Sequence, residues 1–553
     1  MFFFLYWSDF RIFAENYCIM AGMRKYPAGI QSFETIRMNG FKYVDKTQYV
    51  YKMISSGNPI FLSRPRRFGK SLLVSTLEAV FQGRRELFEE ITLEDGTVQP
   101  RLFIATTDWK WEKYPVLRFD FSRVGAKGMD SLDTYISLTL SDYEKQYDIA
   151  TDITDYAARL SQIIKSARAK TGKKVVVLVD EYDNQMLKAI GDDKKVEAVR
   201  ETFSGLFAPL KGLDDHIKFI FITGISKFSQ MGIFSQLNQL NNISMWPDYE
   251  GICGITEEEL TTAMREDIEL LASRRRKTYD EMLAALKQKY DGYHFCSDMT
   301  DIYNPYSVVK AFASGTLGDY WFESATPTAL IAILSQMPLY QLTEIDGSQC
   351  PDSAFNQAFT SFIDPLPVLY QSGYLTIKDY RADRDMYTLG FPNEEVRRGF
   401  ADNLFKLITN ITSGNNVRNA FLEAYYDFRD TGDLPEFIEA IKTFFAGIPY
   451  YLDNKNECHY HVILYTLLTA FGADVSSEQA SAKGRSDIVL RMPLGIYVME
   501  IKYDETVDAA LQQIEERGYA EKYRMDGRPL VKVGISFSSE ERNIVDWKSV
   551  LSE

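Results

Sequence analysis

Two short groups of polar residues follow apolar segments of this chain, and both have the composition of sites that act on phosphate. Gly69-Lys70-Ser71 follows an apolar segment that begins at Ile60 and precedes a helically spaced segment that reaches Phe81. Glycine lets main-chain amides approach phosphate oxygens, lysine supplies positive charge, and serine offers a hydroxyl to Mg²⁺. Glu500-Ile501-Lys502 ends another apolar run, and residues two apart in a strand share a face. Both groups indicate phosphate chemistry that uses a divalent cation.

A second carboxylate pair supports the first of these sites. The run Val175–Val179 delivers Asp180-Glu181 at its end, where Asp180 would hold Mg²⁺ and Glu181 would polarise an attacking water. After the next apolar run, Thr223 or Ser226 would sense the terminal phosphate. Each signal alone has a plain alternative: a surface turn, a helix start or an ordinary strand end. Together, in this order on one sheet, they predict a nucleotide site.

The elements that must position these residues alternate between strand and helix. Apolar strands are predicted from Ile60 and at Pro115–Phe121, Val175–Val179 and Ile217–Thr223, with helices between them. This alternation is typical of a parallel sheet covered on both faces, so the predicted fold class is α/β. Beyond Gly254, Thr256–Leu271 and Thr278–Tyr290 predict a helical lid, with Thr256 and Glu259 forming a capping box. A small winged-helix-like element is predicted around Pro365–Leu389.

The C-terminal part predicts a separate small αβ unit. A helix to Phe471 should precede strands at Asp487–Met492 and Ile496–Lys502, a helix at Val507–Tyr523 and a strand at Leu530–Ser536. Asp487 and Glu500 are hard oxygen ligands for Mg²⁺ or Mn²⁺, and Lys502 would steady developing negative charge.

Glu457, on the preceding helix, would supply a third carboxylate, although a solvated helix-end acid and a strand salt bridge between Glu500 and Lys502 are the alternatives. His459 and His461 lie two apart on that helix, so they point apart and do not suggest zinc.

Bulk properties set the limits for these predictions. With 553 residues, the chain should form two or three domains, and its net charge of −15 opposes indiscriminate binding to nucleic acid. Five cysteines without a CxxC pair suggest a reducing, cytoplasmic setting without a zinc ribbon or a disulfide framework. The initial MFFFLYW run is too short to span a membrane and is interpreted as part of an extension. The domains predicted are an extension at 1–22, a nucleotide domain at 23–254, a lid and winged-helix-like region at 255–450, and the αβ unit at 451–553.

The charge of the C-terminal part affects its attraction to nucleic acid. Residues 451–553 carry 12 Lys and Arg against 17 Asp and Glu, a net of −5, so electrostatic capture of nucleic acid must come from elsewhere. Arg274-Arg275-Arg276-Lys277 is a candidate basic patch, and a solvated helix end is its alternative.

The N-terminal motifs resemble a known family. Tyr26–Phe33, Tyr43–Lys46, Phe61–Ser71 and Val179–Asp183 are similar to the bacterial predicted-AAA-ATPase-like family over roughly the first half of the chain. In that family an arginine-rich loop is usual, although Arg64 stands where a P-loop commonly has its first glycine. The resemblance implies ATP and Mg²⁺ as cofactors, with Glu181 as a catalytic residue. The implied cofactor-binding residues are Arg66, Arg67, Phe68, Gly69, Lys70, Ser71, Asp180 and Ser226, of which Ser71 and Asp180 would hold metal.

The C-terminal motifs resemble the PD-(D/E)XK nuclease superfamily. Gly484–Asp487 and Glu500–Lys502 are similar to its core motif, with Ser486 in place of the usual proline. The resemblance implies Asp487, Glu500, Lys502 and Glu457 as catalytic residues, and Asp487, Glu500 and Ile501 as metal ligands. Gln513 and Tyr519 on the following helix are similar to residues that some members carry.

Two functional hypotheses follow from these resemblances. In the first, a cytoplasmic P-loop ATPase controls a Mg²⁺-dependent nuclease that acts on DNA or RNA, without a membrane partner and with homo-oligomerisation left open. In the second, the protein is a nucleotide-driven switch or scaffold whose nuclease-like fold binds without cutting.

Overall fold

A computed structural model describes residues 25–125, 129–189, 192–226, 240–324, 334, 337, 345–356, 365–409, 416–448, 457–481 and 484–552. The predicted extension at 1–22 lies outside these residues. The chain divides into two compact units, and the division falls between Tyr320 and Trp321. Among the described residues, no helix combines the length and the apolar character that crossing a bilayer requires.

The first unit is built on a five-stranded parallel sheet in the order β4-β5-β6-β1-β7. Its strands are β1 (Ile60–Ser63), β4 (Val116–Asp120), β5 (Val175–Asp180), β6 (Ile217–Gly224) and β7 (Asn241–Asn242). Two short pairs lie outside this sheet, β2 (Ile91–Thr92) with β3 (Val98–Gln99), and β8 (Ile255–Thr256) with β9 (Ile302–Tyr303). Every residue of β5 is buried, as expected for a strand covered on both faces. The parallel α/β core predicted from the apolar runs is confirmed.

The register brings the predicted site residues to one edge of this sheet. Asp120 pairs with Asp180, and Ser63 pairs with Gly224. Because parallel strands end together, the loop after β1, the carboxylates after β5 and the end of β6 lie along the same carboxyl edge. Strand β6 separates β1 from β5, so the two halves of the candidate site come from strands that are not neighbours.

Helices cover the sheet and form the predicted lid. The helices of the first unit are α1 (Phe33–Met38), α2 (Thr47–Ser56), α3 (Lys70–Phe81), α4 (Met129–Gln146), α5 (Tyr156–Thr171), α6 (Asn184–Lys188), α7 (Asp193–Phe207), α8 (Glu257–Ala263), α9 (Arg265–Arg274), α10 (Tyr279–Tyr290) and α11 (Pro305–Ser314). The last four share one core that includes Leu260, Ile268, Leu286 and Val308. The predicted capping box of Thr256 and Glu259 is present.

One predicted lid helix is in fact two helices. Met264, at φ −119° and ψ 18°, separates α8 from α9 and is buried in the lid core. No glycine or proline marks this break, so the helical pattern concealed it. Two ion pairs, Lys42 with Asp267 and Lys46 with Glu259, fasten the segment before α2 to these lid helices.

The second unit contains a helix and a small antiparallel sheet. Helix α12 (Pro365–Ser372) and Gly373, whose φ is +87°, lead into the hairpin of β11 (Thr376–Arg381) and β12 (Met386–Gly390). Strand β10 (Ser348–Pro351) pairs with β12 on its other side. The helix, the turn and the two strands predicted for the winged-helix-like element are therefore present.

A five-stranded mixed sheet forms the rest of the second unit, in sequential strand order. Its strands are β13 (Asp474–Ser481), β14 (Gly484–Met492), β15 (Gly495–Tyr503), β16 (Leu530–Ser538) and β17 (Asn543–Leu551). Only the β15–β16 pair is parallel, and α17 (Val507–Arg517) connects these two strands. The predicted αβ unit is confirmed, although β13 and β17 were not predicted.

Both faces of this sheet are covered. Four helices, α13 (Glu394–Thr409), α14 (Asn416–Thr431), α15 (Leu434–Ala446) and α16 (Glu457–Ala470), share one core with the side chains of one sheet face. Helix α17 covers the other face, where Val489, Val498 and Ile514 pack together. Helices that precede residue 451 in the chain thus complete the core of this sheet.

Candidate functional site

The candidate phosphate-binding loop, called the phosphate loop below, spans residues 64–71 and leads from β1 into α3. Helix α3 begins at Lys70, and Gly69 caps it with φ +93°, a left-handed conformation that glycine adopts without strain. Arg67 also has a positive φ, of 68°. The loop therefore turns sharply and presents the amino end of α3, where main-chain amides and the helix dipole favour an anion.

Lys70 lies inside this loop. Its side chain is buried, and Nζ donates to the carbonyl oxygens of Arg64 at 2.8 Å and Pro65 at 2.9 Å. Burial lowers the pKa of Lys70, and the carboxylates of Glu181 and Asp183 oppose that effect. The lysine charge thus lies within electrostatic reach of the carboxylates at the sheet edge.

The other predicted loop residues face different surroundings. Arg66 is half-buried, and its charge opposes the rise in the pKa of Glu181, so it lies near the same carboxylates. Arg67 is exposed and stacks over Tyr306 with its guanidinium carbon 4.7 Å from the ring centre. Phe68 is buried against Tyr293, with ring centres 4.7 Å apart. The ring of Phe68 therefore packs within the protein, and Phe68 contributes its main chain to the loop.

Asp180 ends β5 as a buried carboxylate, only 1% exposed. Among the described residues, neither carboxylate oxygen has a hydrogen-bond partner of good geometry, although the Ser71 hydroxyl is near enough to lower the pKa of the group. Burial dominates and raises the pKa of Asp180 to about 6. Two buried oxygens beside Ser71 form a donor set that suits Mg²⁺, the cation that the resemblance implies.

Glu181 comes next and has a left-handed backbone conformation, with φ +49°, which residues other than glycine rarely adopt. Burial raises the pKa of its carboxyl, and the charge of Lys70 opposes this. Glu181 and Lys70 therefore share one electrostatic environment although 110 residues separate them in sequence.

Two further carboxylates at this edge were not singled out from the sequence. Asp120 ends β4 beside Asp180 and raises the pKa of Asp180. Asp183 is fully buried, and its Oδ2 accepts hydrogen bonds from the amides of Ile225 and Ser226 at 2.8 and 2.7 Å. A polar residue at the end of an apolar strand was the signal that could have identified Asp120. The interpretation of Pro115–Phe121 as one strand concealed it.

The two candidate phosphate sensors have different partners. The Thr223 hydroxyl donates to the carbonyl of Leu62 at 2.7 Å and so ties β6 to β1. The Ser226 hydroxyl donates to Oδ2 of Asp183 at 2.9 Å. Ser226 is thus attached to the carboxylate loop after β5, while Thr223 holds the sheet together.

An apolar pocket with a volume of about 110 Å³ lies beside the phosphate loop. Gly69 and Leu72 contribute from the start of α3, and Tyr43, Ile252 and Val309 contribute from the segment before α2, the chain before β8 and the lid. Its apolar lining is typical of small-molecule sites.

The second candidate site lies on β15 of the C-terminal sheet. Glu500 is 1% exposed, and Nζ of Lys502 lies 3.4 Å from its Oε1. Nε2 of Gln513, on α17, also donates to Oε1 of Glu500, and the Gln513 side chain lies 3.4 Å from the Tyr519 hydroxyl. The structure thus brings Glu500, Lys502, Gln513 and Tyr519 together.

The remaining predicted residues of this site are placed by their main chains alone. Asp487 lies in β14, next to Ile488, which pairs with Met499. Asp487 in β14 and Glu500 in β15 are each the next residue along their strands beyond this pair. Glu457 begins α16, and Ile501 follows Glu500 with its side chain in the core. The side chains of Asp487 and Glu457 lie outside the described part of the chain.

The histidines and the basic patch have ordinary surroundings. A ring nitrogen of His461 lies 3.0 Å from the Ser477 hydroxyl on β13, and His459 is buried. Arg274, Arg275, Arg276 and Lys277 are exposed at the end of α9.

Comparison with known proteins matches the chain to two families. A family model described as "Predicted AAA-ATPase" matches residues 27–234, and one described as "PD-(D/E)XK nuclease superfamily" matches residues 455–547. A protein of Azotobacter chroococcum mcd 1, described as "Uncharacterized protein in vnfD 5'region", is 32% identical over 537 residues. That similarity covers 95% of this chain and 98% of the relative. The two matched ranges contain the two groups of predicted site residues.

Proposed function

Because this chain belongs to the predicted AAA-ATPase family and carries a PD-(D/E)XK nuclease superfamily domain, we propose that it hydrolyses ATP and thereby controls phosphodiester cleavage in DNA or RNA. We place it in the bacterial cytoplasm. The observation that carries the first half of the proposal is the convergence of Lys70, Asp180 and Glu181 at one sheet edge.

In the ATPase, each residue has a role that follows from its surroundings. The adenine base occupies the apolar pocket, and the phosphates lie against the amides at the start of α3. Lys70 exchanges the carbonyls of Arg64 and Pro65 for phosphate oxygens. Ser71 and Asp180 would hold Mg²⁺, which neutralises phosphate charge when bound. Glu181 orients the attacking water and accepts its proton, since burial has already raised the pKa of its carboxyl.

ATP binding and turnover test this assignment. Lys70→Ala should lose measurable ATP binding and hydrolysis, because it removes the buried ammonium that lies near the carboxylates of the sheet edge. Lys110→Ala removes an exposed lysine of the same unit and should leave both unchanged. Wild-type binding and turnover in Lys70→Ala would remove the ATPase proposal.

In the nuclease, Glu500 and Asp487 would hold Mg²⁺ or Mn²⁺ together with the carbonyl of Ile501, and Glu457 would add a further carboxylate. The ion supplies a nucleophilic water and stabilises phosphate charge. Lys502 stabilises the negative charge that develops at the phosphate, and Gln513 holds Glu500 in place. The observation that supports this half is the buried Glu500 with Lys502 and Gln513 around it.

Cleavage of labelled single- and double-stranded DNA and RNA tests the nuclease. Asp487→Ala and Glu500→Gln should abolish Mg²⁺- or Mn²⁺-dependent cleavage. Glu516→Gln, which changes an exposed glutamate on the neighbouring helix α17, should cleave as the wild type does. Equal cleavage by Asp487→Ala and the wild type would remove the nuclease proposal.

The second candidate function is a nucleotide-driven switch whose nuclease-like fold binds a partner without cutting it. The net charge of −5 over residues 451–553 favours it, because a cleaving domain must first hold a polyanion. Calorimetry with ATP and a non-hydrolysable analogue separates the two functions. Tight binding of both nucleotides without turnover or cleavage would favour the switch.

A further inference from the structure

The side chain of Arg64 stands out because a P-loop commonly has glycine at this position, and here the arginine is almost fully buried at 1% exposure. Its guanidinium turns away from the loop interior. Nη1 donates to the carbonyls of Ser63 at 2.9 Å and Ser244 at 2.7 Å. Nη2 donates to the carbonyls of Tyr249 at 3.1 Å and Glu250 at 3.4 Å. One side chain thus joins β1 to the chain that follows β7.

The same guanidinium also reaches the lid. Its carbon lies 4.1 Å from the ring centre of Phe295, which is within range for a cation–π contact. Oε1 of Glu250 accepts hydrogen bonds from the amides of Phe295 and Thr300, at 3.4 and 3.1 Å. Arg64 and Glu250 therefore both contact the loop that precedes β9.

The segment that Arg64 binds leads directly into a wall of the apolar pocket. Ile252 and Ile255 line that pocket and follow Glu250 in the chain. From the other end of the phosphate loop, the carbonyl of Phe68 accepts a hydrogen bond from the amide of Gly254 at 3.1 Å. Two connections, one at each end of the loop, thus fix this pocket wall relative to the phosphate site.

We propose that Arg64 is a positioning residue for nucleotide recognition, which sets the spacing between the base pocket and the phosphate loop. This inference rests on the proposed ATP site and adds a determinant of base recognition to it. A ligand with both a base and phosphates needs this spacing, because each part must fit at the same time. A ligand that consists of phosphates alone needs only the loop.

Arg64→Gly installs the residue that P-loops commonly have at this position, yet we expect it to weaken ATP binding. This variant removes the donors to four carbonyls and the contact with Phe295. Its affinity for ATP should fall about tenfold or more, since charged donors to buried carbonyls are involved. Its affinity for inorganic tripolyphosphate should change less than about threefold. KM for ATP should rise while kcat stays near the wild-type value.

Titration calorimetry of the full chain with ATP and with tripolyphosphate, both with Mg²⁺, measures this ratio. Arg64→Lys, which can reach some of the carbonyls, should lie between the wild type and Arg64→Gly. Arg85→Ala, which changes an exposed arginine paired with Glu89, is the control and should match the wild type for both ligands.

The outcomes are distinct. A loss confined to ATP supports the inference, whereas unchanged ATP affinity or an equal loss of both ligands overturns it. If Arg64→Gly unfolds at the assay temperature, Arg64→Lys decides by the same ratio. Failure of the wild type to bind either ligand would instead contradict the proposed ATP site.

Discussion

Replacing Asp180 by asparagine should stabilise the nucleotide-free protein while it removes the Mg²⁺-dependent response to ATP. The carboxylate is 1% exposed, and burial raises its pKa from 3.8 to about 6. At about 1.36 kcal/mol per pKa unit, this rise corresponds to about 3 kcal/mol that disfavours the charged form in the folded state. An amide of similar shape avoids that cost, so Asp180→Asn should unfold less readily at pH 7.5.

The sign of the pH dependence follows from the raised pKa. Below about pH 4 the carboxyl is protonated in the folded and unfolded chains, so the ionisation of Asp180 contributes no difference between the wild type and Asp180→Asn. As pH rises from about 4 to 6, only the unfolded chain ionises, and the wild type loses stability relative to the variant. Above about pH 6 the difference is complete.

Thermal denaturation from pH 4 to 8 measures this difference. Asp152→Asn, which changes an exposed carboxylate, serves as the control. The variant should melt several degrees above the wild type at pH 7.5, and Mg²⁺ with ATP should raise the melting temperature of the wild type alone. A lower melting temperature for Asp180→Asn than for the wild type at pH 7.5 would contradict this prediction. An equal rise in the melting temperatures of both proteins with Mg²⁺ and ATP would contradict it as well.

Three further substitutions probe the two sites. Glu181→Gln should bind ATP as the wild type does and hydrolyse it about 10² times more slowly or worse, because the water loses its base. Gly224→Ala should destabilise the chain by about 1–3 kcal/mol, since its Cβ would lie 2.5 Å from Oδ1 of Asp183. Gln513→Ala should reduce cleavage about 10- to 100-fold, because its amide holds Glu500.

Matched controls accompany these substitutions. Gly205→Ala places a methyl group where nothing lies within 4 Å and should be neutral or stabilising. Gln512→Ala changes the neighbouring exposed glutamine and should leave cleavage unchanged. Wild-type turnover in Glu181→Gln, wild-type unfolding in Gly224→Ala, or wild-type cleavage in Gln513→Ala would each contradict the corresponding role.

The sequence predicted the parallel sheet well because its strands are continuous apolar runs with polar residues at their ends. Val175–Val179 and Asp180 illustrate this, since β5 is buried throughout and ends at that carboxylate. The order of the strands could not be predicted, because it depends on pairings between residues far apart in the chain. The strand-end position of Asp120 could be recognised from the sequence, whereas its proximity to Asp180 follows from the pairing of β4 with β5.

The C-terminal unit shows two other limits of sequence patterns. Helix α17 ends at Arg517, before the predicted end at Tyr523, because Gly518 adopts φ +63° and terminates it. Strand β13, with the sequence DVSSEQAS, has little apolar alternation and was not predicted. Helices α13 to α15 pack on the sheet through tertiary contacts that no local pattern reports.

The surroundings of the side chains in the phosphate loop could not be predicted from the sequence. The resemblance placed Phe68 among the cofactor-binding residues, yet its ring packs against Tyr293 and Phe295. The side chains of Arg64, Arg67 and Phe68 contact aromatic rings that lie more than 200 residues further along the chain, namely Phe295, Tyr306 and Tyr293.

The central proposal is that ATP controls cleavage by a site elsewhere in the chain. The decisive measurement is the cleavage rate with and without ATP for the wild type, Lys70→Ala and Asp487→Ala in the same buffer with Mg²⁺. ATP should change the wild-type rate and leave Lys70→Ala unaffected, while Asp487→Ala should not cleave at all. Equal wild-type rates with and without ATP would contradict the control of the nuclease by the ATPase.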